Sequence, residues 1–245
     1  MNEHKKIKYN TMSHLNKYIA HSGYCSRRKA TELIKTGYVT VNGSVIKEPF
    51  YQVLSTDAIK VKNKLINSEQ EKKLYFIFNK PKDVISTVSD PQNRITVMDF
   101  FKHIKQRLYP IGRLDRNTTG IILLTNDGDL TQKLSHPKFN IEKTYHVKTH
   151  KQVTDQHLQL ILNGIRLEDG FLKVDKAHKI AHKKNTLAIT LHSGKNHIIK
   201  RLFKHLHYYV EKLDRIKFAT LSKKGLSLGS YRPLDRGEIE TLKKL

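Results

Sequence analysis

Residues 110–120 read PIGRLDRNTTG, and the apolar run IILL follows at 121–124. This order predicts a charged turn that leads into a buried strand. The turn places one carboxylate, Asp115, between Arg113 and Arg116. Two cations beside a carboxylate stabilise its charged form, which is the form that a nucleophile or a general base requires. A surface turn with salt bridges is the alternative for this stretch by itself, so its function depends on what the rest of the chain contains.

The composition is that of a folded and strongly basic protein. The chain has 46 Lys and Arg against 22 Asp and Glu, a formal net charge of +24, and 38% hydrophobic residues. Positive charge spread along such a chain predicts a polyanionic partner, and charge alone leaves RNA, DNA and an anionic membrane surface open. One cysteine, Cys25, allows neither an internal disulfide nor a zinc cluster built on cysteines. The first residues are basic without an apolar signal region, and apolar runs stay well short of the ~20 residues that span a bilayer, so we expect a cytoplasmic protein.

The first part of the chain has the pattern of a small helical module with a hairpin. Apolar residues recur twice at helical spacing before Gly37, which ends the second helix. Strand-like residues on both sides of Asn42 and Gly43 predict a hairpin. The segment LNKYIAHSGYCSRRKATELIKTGYVTVNG, at 15–43, resembles the S4-type RNA-binding domain. We therefore predict an S4-type domain over 13–61.

Basic residues surround the apolar positions of the second predicted helix. Arg27, Arg28 and Lys35 are the candidate RNA-binding residues of this surface. An ordinary solvated helix face is the alternative explanation for any one of them.

A polar segment, KNKLINSEQEKK, predicts a linker at 62–73. The remaining residues, 74–245, alternate strand-like and helical patterns and therefore predict an α+β domain with a mixed sheet. The helical patterns fall at 127–135, 154–163 and 196–206, and the strand patterns fall at 74–78, 143–148, 172–174, 187–191 and 210–218.

Four segments of the larger domain resemble, in order, the motifs of RNA pseudouridine synthases of the branch that contains RsuA, RluB, RluE and RluF. They are NKP at 79–81, the turn at 110–120, EKTYHV at 142–147 and GKNHIIKR at 194–201. The resemblance extends over nearly the whole chain from about Ser13, and its nearest match is with members that act on the large ribosomal subunit. It implies an S4-type domain followed by a catalytic domain with a mostly antiparallel mixed sheet, and an active site in a central basic cleft.

The resemblance also assigns roles to individual residues. Asp115 matches the catalytic carboxylate and Lys200 the cation that pairs with it. Tyr145 matches the tyrosine that stacks on the target base, and its phenol is a candidate for proton transfer. Arg113 matches the residue that helps to hold the nucleotide out of its stack. Ile199 matches the aliphatic residue beside the base.

The remaining candidate site residues carry weaker signals. The NKP segment adds Lys80 as a candidate substrate-binding residue, although this tripeptide alone is only a turn signal. Ile198 stands where Gln or Val is more usual in the family, which affects a local contact and not the reaction. His178 and His182 have a spacing that metal ligands use, but few acids lie near them in sequence, so no metal site is predicted.

The implied reaction suits a chain without cofactor motifs. Converting uridine to pseudouridine breaks the bond from ribose C1′ to N1 and re-forms it to C5 without net gain or loss of atoms, so no cofactor is expected. Neither a P-loop nor a GxGxxG stretch after a strand occurs in the sequence. Whether Asp115 attacks C1′ or takes a proton from ribose stays open. The expected partner of the protein is ribosomal RNA or a precursor of a ribosomal subunit; no membrane partner is expected, and we expect a monomer.

Three other functions stay open on the sequence. Small-subunit synthases of RsuA type share these motifs, so the substrate is either large-subunit or small-subunit ribosomal RNA. A noncatalytic RNA-binding or ribosome-assembly factor would explain the charge and the S4-type segment, but it has no need of Asp115 together with Tyr145 and Lys200. A metal-dependent RNA hydrolase that uses Asp127 and Asp129 is the weakest alternative, because DGD after a polar turn is typical of a helix N-terminus.

Overall fold

The structure is a computed structural model and describes residues 11–66 and 72–245. The chain divides into two compact units, a small unit at 1–73 and a large unit at 74–245. No helix within the described residues is long and apolar enough to cross a membrane.

In its described residues, the small unit has two short helices and two small antiparallel sheets. Its elements are β1 (Thr11–His14), α1 (Leu15–His21), α2 (Arg27–Lys35), β2 (Val39–Val41), β3 (Ser44–Val45), β4 (Gln52–Leu54), β5 (Ile59–Val61) and β6 (Lys64–Ile66). β1 pairs with β4, and the other sheet has the order β3-β2-β5-β6. Ser26 starts α2 by accepting a hydrogen bond from the Lys29 N–H, one of the groups that a helix leaves unpaired. Asn42 and Gly43 both have positive φ, as a two-residue hairpin turn requires, so the predicted hairpin is confirmed.

The core of the small unit joins both helices to the strands. Leu15 and Ile19 of α1, Ile34 of α2, Val39 of β2 and Ile59 of β5 are fully buried in one cluster. The apolar spacing of the two helices therefore serves to bury one face of each against the sheet.

The predicted linker begins too early in the chain. Residues 64–66 of the segment 62–73 form β6, because their backbone pairs with β5. The small unit thus extends further than the sequence predicted, and residues 67–71 of that segment lie outside the described part of the chain.

A mostly antiparallel mixed sheet is the centre of the large unit, as predicted. The strands of the large unit are β7 (Tyr75–Lys80), β8 (Tyr109–Ile111), β9 (Thr119–Thr125), β10 (Lys143–Thr149), β11 (Ile165–Leu167), β12 (Gly170–Leu172), β13 (Lys176–Lys179), β14 (Thr186–Leu191), β15 (Val210–Phe218), β16 (Leu221–Ser222) and β17 (Tyr231–Pro233), and the helices are α3 (Gly128–Ser135), α4 (Asp155–Asn163), α5 (Ile198–His205) and α6 (Arg236–Lys244). Nine of the strands form the central sheet, in the order β13-β14-β10-β15-β9-β7-β17 with β8 beside β9 and β16 beside β15, and β11 and β12 form a separate hairpin. Among the described strands, only the pair of β15 with β9 is parallel.

Most of the predicted elements of the large unit are confirmed. The three helical patterns correspond to α3, α4 and α5, and the strand patterns at 74–78, 143–148, 187–191 and 210–218 correspond to β7, β10, β14 and β15. The strand predicted at 172–174 is wrong. The strand there is β12, which begins at Gly170 because it is the second strand of a hairpin with β11.

Two features of the large unit fix the position of its cleft. α5 packs on the sheet through Ile198 and Leu202, which are buried in one cluster with Val147 of β10. β9 and β15 meet at Gly120, where an added Cβ would lie 2.3 Å from the Arg215 carbonyl oxygen, so that only glycine allows this approach. The start of β9, and with it the preceding turn, is thereby held beside β15.

Candidate active site

Two side chains from the start of α5 contact the Asp115 carboxylate. Lys200 Nζ donates to its Oδ2 at 2.7 Å, and His197 Nε2 lies 3.1 Å from its Oδ1. The Asp115 side chain is 26% exposed, so it is partly shielded from water and still accessible to a ligand. The ammonium bonded to Oδ2 suits the ionised carboxylate, which is the reactive form.

The turn that carries Asp115 is anchored by its own backbone. Leu114 is buried, and Ser86 Oγ accepts from the Leu114 N–H at 3.2 Å and donates to the Leu114 carbonyl at 3.0 Å. After the carboxylate, the Thr118 N–H donates to the Asp115 carbonyl at 3.0 Å. The backbone on both sides of the carboxylate is therefore held in place by the fold, as a preorganised site requires.

The cations that contact Asp115 are not its neighbours in sequence. Arg116 pairs with Asp83 instead, with its Nε 3.1 Å from the Asp83 Oδ1. Arg113 is exposed and lines the cleft. The interpretation of Arg113 and Arg116 as the stabilising cations is therefore corrected, because the contact at 2.7 Å comes from Lys200, 85 residues later in the chain.

Asp115 lines a cleft of about 610 Å³ in the large unit, a volume in the range of ligand-binding clefts. Tyr145, half-buried in β10, and Ile199, buried in α5, line the same cleft. The structure thus brings Arg113, Tyr145 and Ile199 to one cleft with Asp115, and Lys200 reaches that cleft through its bond to Asp115.

The Lys80 side chain donates hydrogen bonds to backbone carbonyls and is not in the lining of the cleft. It is fully buried, and its ammonium donates to the carbonyls of Pro81 and Val84, both at 2.8 Å, and of Arg116 at 3.3 Å. Burial lowers the pKa of Lys80 to about 8, against the opposing attraction of Asp115. The prediction of Lys80 as a substrate-binding residue is therefore corrected. This lysine binds backbone carbonyls, including that of Arg116 in the turn after Asp115.

Two further cations lie in the lining of the cleft. Arg215 of β15 is 2% exposed, and its Nε donates to the Ile121 carbonyl at 2.7 Å, while its buried Nη2 has no partner among the described residues. Lys143 Nζ donates to the carbonyls of Ile141 and His192, both at 3.0 Å. Burial and the nearby Arg215 lower the pKa of Lys143 to about 8. The cleft therefore has a cationic lining that suits an anionic ligand.

Sequence reasoning did not select His197, Lys143 or Arg215. His197 and Lys143 stand inside two of the family motifs, but a single basic residue in a basic chain gives no sign of its partner. Arg215 stands in a strand pattern, and burial of its guanidinium depends on the pairing of β15 with β9.

The candidate RNA-binding residues of the small unit lie on one helix. Arg27, Arg28 and Lys35 are all exposed on α2. Arg28 and Lys35 are seven positions apart, so they share a face of the helix at a distance of about 10 Å along its axis.

Among the described residues, no group of three or more His, Cys, Asp or Glu side chains has the arrangement of a metal site.

Comparison with known proteins gives matches over both units. Residues 74–205 match the RNA pseudouridylate synthase family, and residues 15–59 match the S4 domain. The chain is 43% identical over 238 residues to the ribosomal large subunit pseudouridine synthase B of Bacillus subtilis (strain 168), covering 96% of this chain and 97% of that protein. It is 37% identical over 238 residues to the dual-specificity RNA pseudouridine synthase RluF of Salmonella typhi, covering 96% of this chain and 80% of that protein.

A solved structure also matches. A crystal structure of a pseudouridylate synthase has a TM-score of 0.66 and 31% sequence identity, covering 94% of this chain and 99% of that one. The segment matched to the family contains Asp115, Tyr145 and Lys200 together with most of the cleft around them. The chain therefore belongs to the RNA pseudouridine synthase family, with an S4 domain ahead of the catalytic domain.

Proposed function

We propose that this protein isomerises a specific uridine of large-subunit ribosomal RNA to pseudouridine, with Asp115 as the catalytic carboxylate. The observation that carries the proposal is the place of Asp115 on the cleft, where Lys200 bonds to one of its oxygens and His197 lies beside the other. Family membership supports the reaction class, and this geometry supports the choice of residue.

The reaction requires an ionised carboxylate beside the ribose. The bond from C1′ to N1 breaks, and its electron pair leaves with the uracil ring as an anion. Asp115 either attacks C1′ or takes a proton from ribose, and both routes start from the charged form that Lys200 stabilises. The ring then turns, C5 bonds to C1′, the C5 proton leaves and N1 takes up a proton, while Asp115 returns to its starting form. No atom is gained or lost, so no cofactor is part of the proposal.

The other predicted residues have roles that suit their surroundings. Tyr145 offers an aromatic face for stacking on the base and a phenol for proton transfer. The exposed guanidinium of Arg113 can stack with, or pair with, a nucleotide that has left its helix. Ile199, which is 3% exposed, supplies an apolar wall beside the base.

Large-subunit ribosomal RNA is the proposed substrate, as free RNA or in a subunit precursor. The support is the 43% identity to the Bacillus subtilis enzyme over nearly all of both chains. The net charge of +24 and the S4 domain suit a large polyanion. One chain carries all of the residues proposed for the site, so we propose that the protein is a monomer. Because ribosomes are assembled in the cytoplasm, we also propose that the protein acts there.

The test is to map pseudouridines in ribosomal RNA from cells that lack this protein. We expect loss of modification at a uridine of the large subunit, restored by the wild-type chain and not by Asp115→Asn. Loss in the small subunit instead would assign the substrate to the other ribosomal RNA. Unchanged ribosomal RNA, or restoration by Asp115→Asn, would overturn the proposed function and favour a noncatalytic RNA-binding role.

A further inference from the structure

We propose that His197 is a positioning residue for the reaction, which restricts the orientation of the Asp115 carboxylate through the contact of its imidazole Nε2 with Oδ1. The inference rests on the proposed function, since it deepens the role of the same site. It also assigns different tasks to the two carboxylate oxygens: Oδ2 is the anchored oxygen, and Oδ1 is the one that reacts.

One donor is not enough to orient an aspartate. The terminal torsion of Asp is broad, so a carboxylate held at one oxygen by Lys200 can still turn about its Cβ–Cγ bond. A second polar group against the other oxygen limits that freedom, and His197 Nε2 lies 3.1 Å from Oδ1 while Lys200 Nζ lies 2.7 Å from Oδ2. Together the two contacts restrict the plane of the carboxylate relative to the cleft.

The backbone at His197 supports a specific role for the imidazole. His197 stands at the N-cap of α5 with φ 48 and ψ 27, the left-handed region that residues with a side chain seldom adopt. Ser, Thr, Asp and Asn are usual at an N-cap because their side chains accept a hydrogen bond from the helix. The His197 side chain makes no such cap bond, so helix capping does not explain it. The left-handed residue instead places its imidazole Nε2 beside Asp115 Oδ1, three positions before Lys200.

The His197 ring lies in the lining of the cleft. The His197 side chain is 52% exposed, so the ring also borders the space that a nucleotide would enter.

The two oxygens of Asp115 differ in how much of their bonding capacity is used. Oδ2 accepts from Lys200, and the Thr118 hydroxyl lies 3.5 Å from it. Oδ1 lies 3.1 Å from the His197 ring nitrogen and has no other ion pair among the described residues. Each carboxylate oxygen has two acceptor sites, so Oδ1 keeps acceptor capacity that can face the ribose. This asymmetry is the reason for assigning Oδ1 as the reacting oxygen.

The test compares His197→Leu with His197→Gln. Leucine removes the polar group beside Oδ1, whereas glutamine keeps one there, because its amide nitrogen can donate to Oδ1. His205→Leu is the matched control, because His205 is an exposed histidine at the far end of the same helix. The substrate is ribosomal RNA from cells lacking the protein, labelled with tritium at C5 of uridine, and tritium release reports loss of the C5 hydrogen. Circular dichroism melting checks that each variant is folded.

We expect His197→Leu to lower the single-turnover rate at saturating RNA roughly 10- to 100-fold, with the Kd for RNA within about threefold, as for a misplaced catalytic group. His197→Gln should recover most of that rate, and His205→Leu should match the wild type. A wild-type rate for His197→Leu, equal losses in the Leu and Gln variants, or a change confined to Kd would each overturn the inference. Asp115→Asn in the same assay separates the two claims: if it is active the proposed function fails, and if it is inactive while His197→Leu is fully active only the role of His197 fails.

Discussion

Asp115 and Asp127 lie close to the two ends of β9, and their carboxylates are held in different ways. Asp127 caps α3: its Oδ1 accepts from the N–H groups of Asp129 and Leu130, both at 3.1 Å, and its Oδ2 accepts from the Tyr75 hydroxyl at 2.8 Å. Asp115 lies against Lys200 and His197, two side chains from a helix far along the chain. Backbone N–H groups of the adjoining helix thus supply two of the three Asp127 bonds, whereas the Asp115 carboxylate is contacted by side chains of α5.

The difference separates a structural carboxylate from one that can react. Asp127 is 9% exposed, and both of its oxygens are used by hydrogen bonds that hold a helix and a strand together. Burial and the bond to Asp127 raise the pKa of Tyr75, which keeps its phenol protonated as the donor. Asp115 is 26% exposed on a cleft. The hydrolase alternative built on Asp127 and Asp129 is therefore not supported, because Asp127 already has a structural task.

The same substitution at both sites should give the largest contrast. We expect Asp115→Asn to lower the single-turnover rate at least about 10³-fold, because an amide is neither a nucleophile nor a base, while the affinity for ribosomal RNA stays within about threefold. The side chain keeps its shape, and a basic cleft loses one negative charge. Tritium release from C5-labelled RNA measures the rate, and filter binding measures the affinity.

Asp127→Asn is the matched control. Its amide oxygen can still cap α3 and its amide nitrogen can donate to the Tyr75 oxygen, so we expect a rate within about threefold of the wild type. Similar losses in the two Asn variants would contradict the division of roles between the ends of β9.

Lys200 should show the next largest effect. Lys200→Met removes the cation bonded to Oδ2 and should lower the saturated rate about 10- to 100-fold. Lys200→Arg keeps the charge and should retain a rate within about tenfold of the wild type, despite the different shape of a guanidinium. Lys204→Met, at an exposed lysine of the same helix, controls for loss of charge on α5. Equal rates in the Met and Arg variants would argue against a role for the ion pair.

Asp127→Ala should act on stability and not on chemistry. It removes the cap of α3 and leaves the Tyr75 hydroxyl without its acceptor, so we expect the free energy of unfolding to fall by about 2 kcal/mol. The rate of the folded variant at saturating RNA should stay near that of the wild type. Urea unfolding and tritium release measured on the same preparation test this, and a stable but inactive variant would place Asp127 in the reaction.

Features that depend on neighbouring residues could be predicted from the sequence. The IILL run gave β9, the DGD stretch marked the start of α3, and the residues around Asn42 and Gly43 gave a hairpin. The charges next to Asp115 in sequence did not predict its ionic partner, because Arg116 follows Asp115 but pairs with Asp83.

The remaining features depend on which distant segments meet. The pairing of Lys200 with Asp115 came from a family resemblance and not from spacing. His197 reaches the same carboxylate only because α5 packs on the sheet near the start of β9. The spacing of apolar residues along the chain cannot predict that packing. Lys80 illustrates the converse, since a lysine in a family motif was predicted to bind substrate and is fully buried against three carbonyls.

The smallest expected effect concerns the small unit, which we compare with the two ends of β9. We expect its residues to contribute to RNA binding and not to the chemical step. Arg28 and Lys35 are exposed on one face of α2. Removing a cation that binds one RNA phosphate should reduce the slope of log affinity against log salt by roughly 0.7 to 0.9. The double variant Arg28→Gln/Lys35→Gln should therefore bind ribosomal RNA about three- to tenfold more weakly near physiological salt.

The saturated rate of this double variant should stay within about twofold of the wild type, because uniform binding energy affects the substrate concentration required and not the chemical step. Lys60→Gln/Lys64→Gln, at exposed lysines of β5 and β6, removes the same charge from two strands of the small unit and leaves α2 unchanged. Equal changes of slope in the two double variants would mean that net charge, and not α2, governs binding. A much lower saturated rate with an unchanged slope would mean that α2 helps to build the active site, and the contrast with Asp115 would then fail.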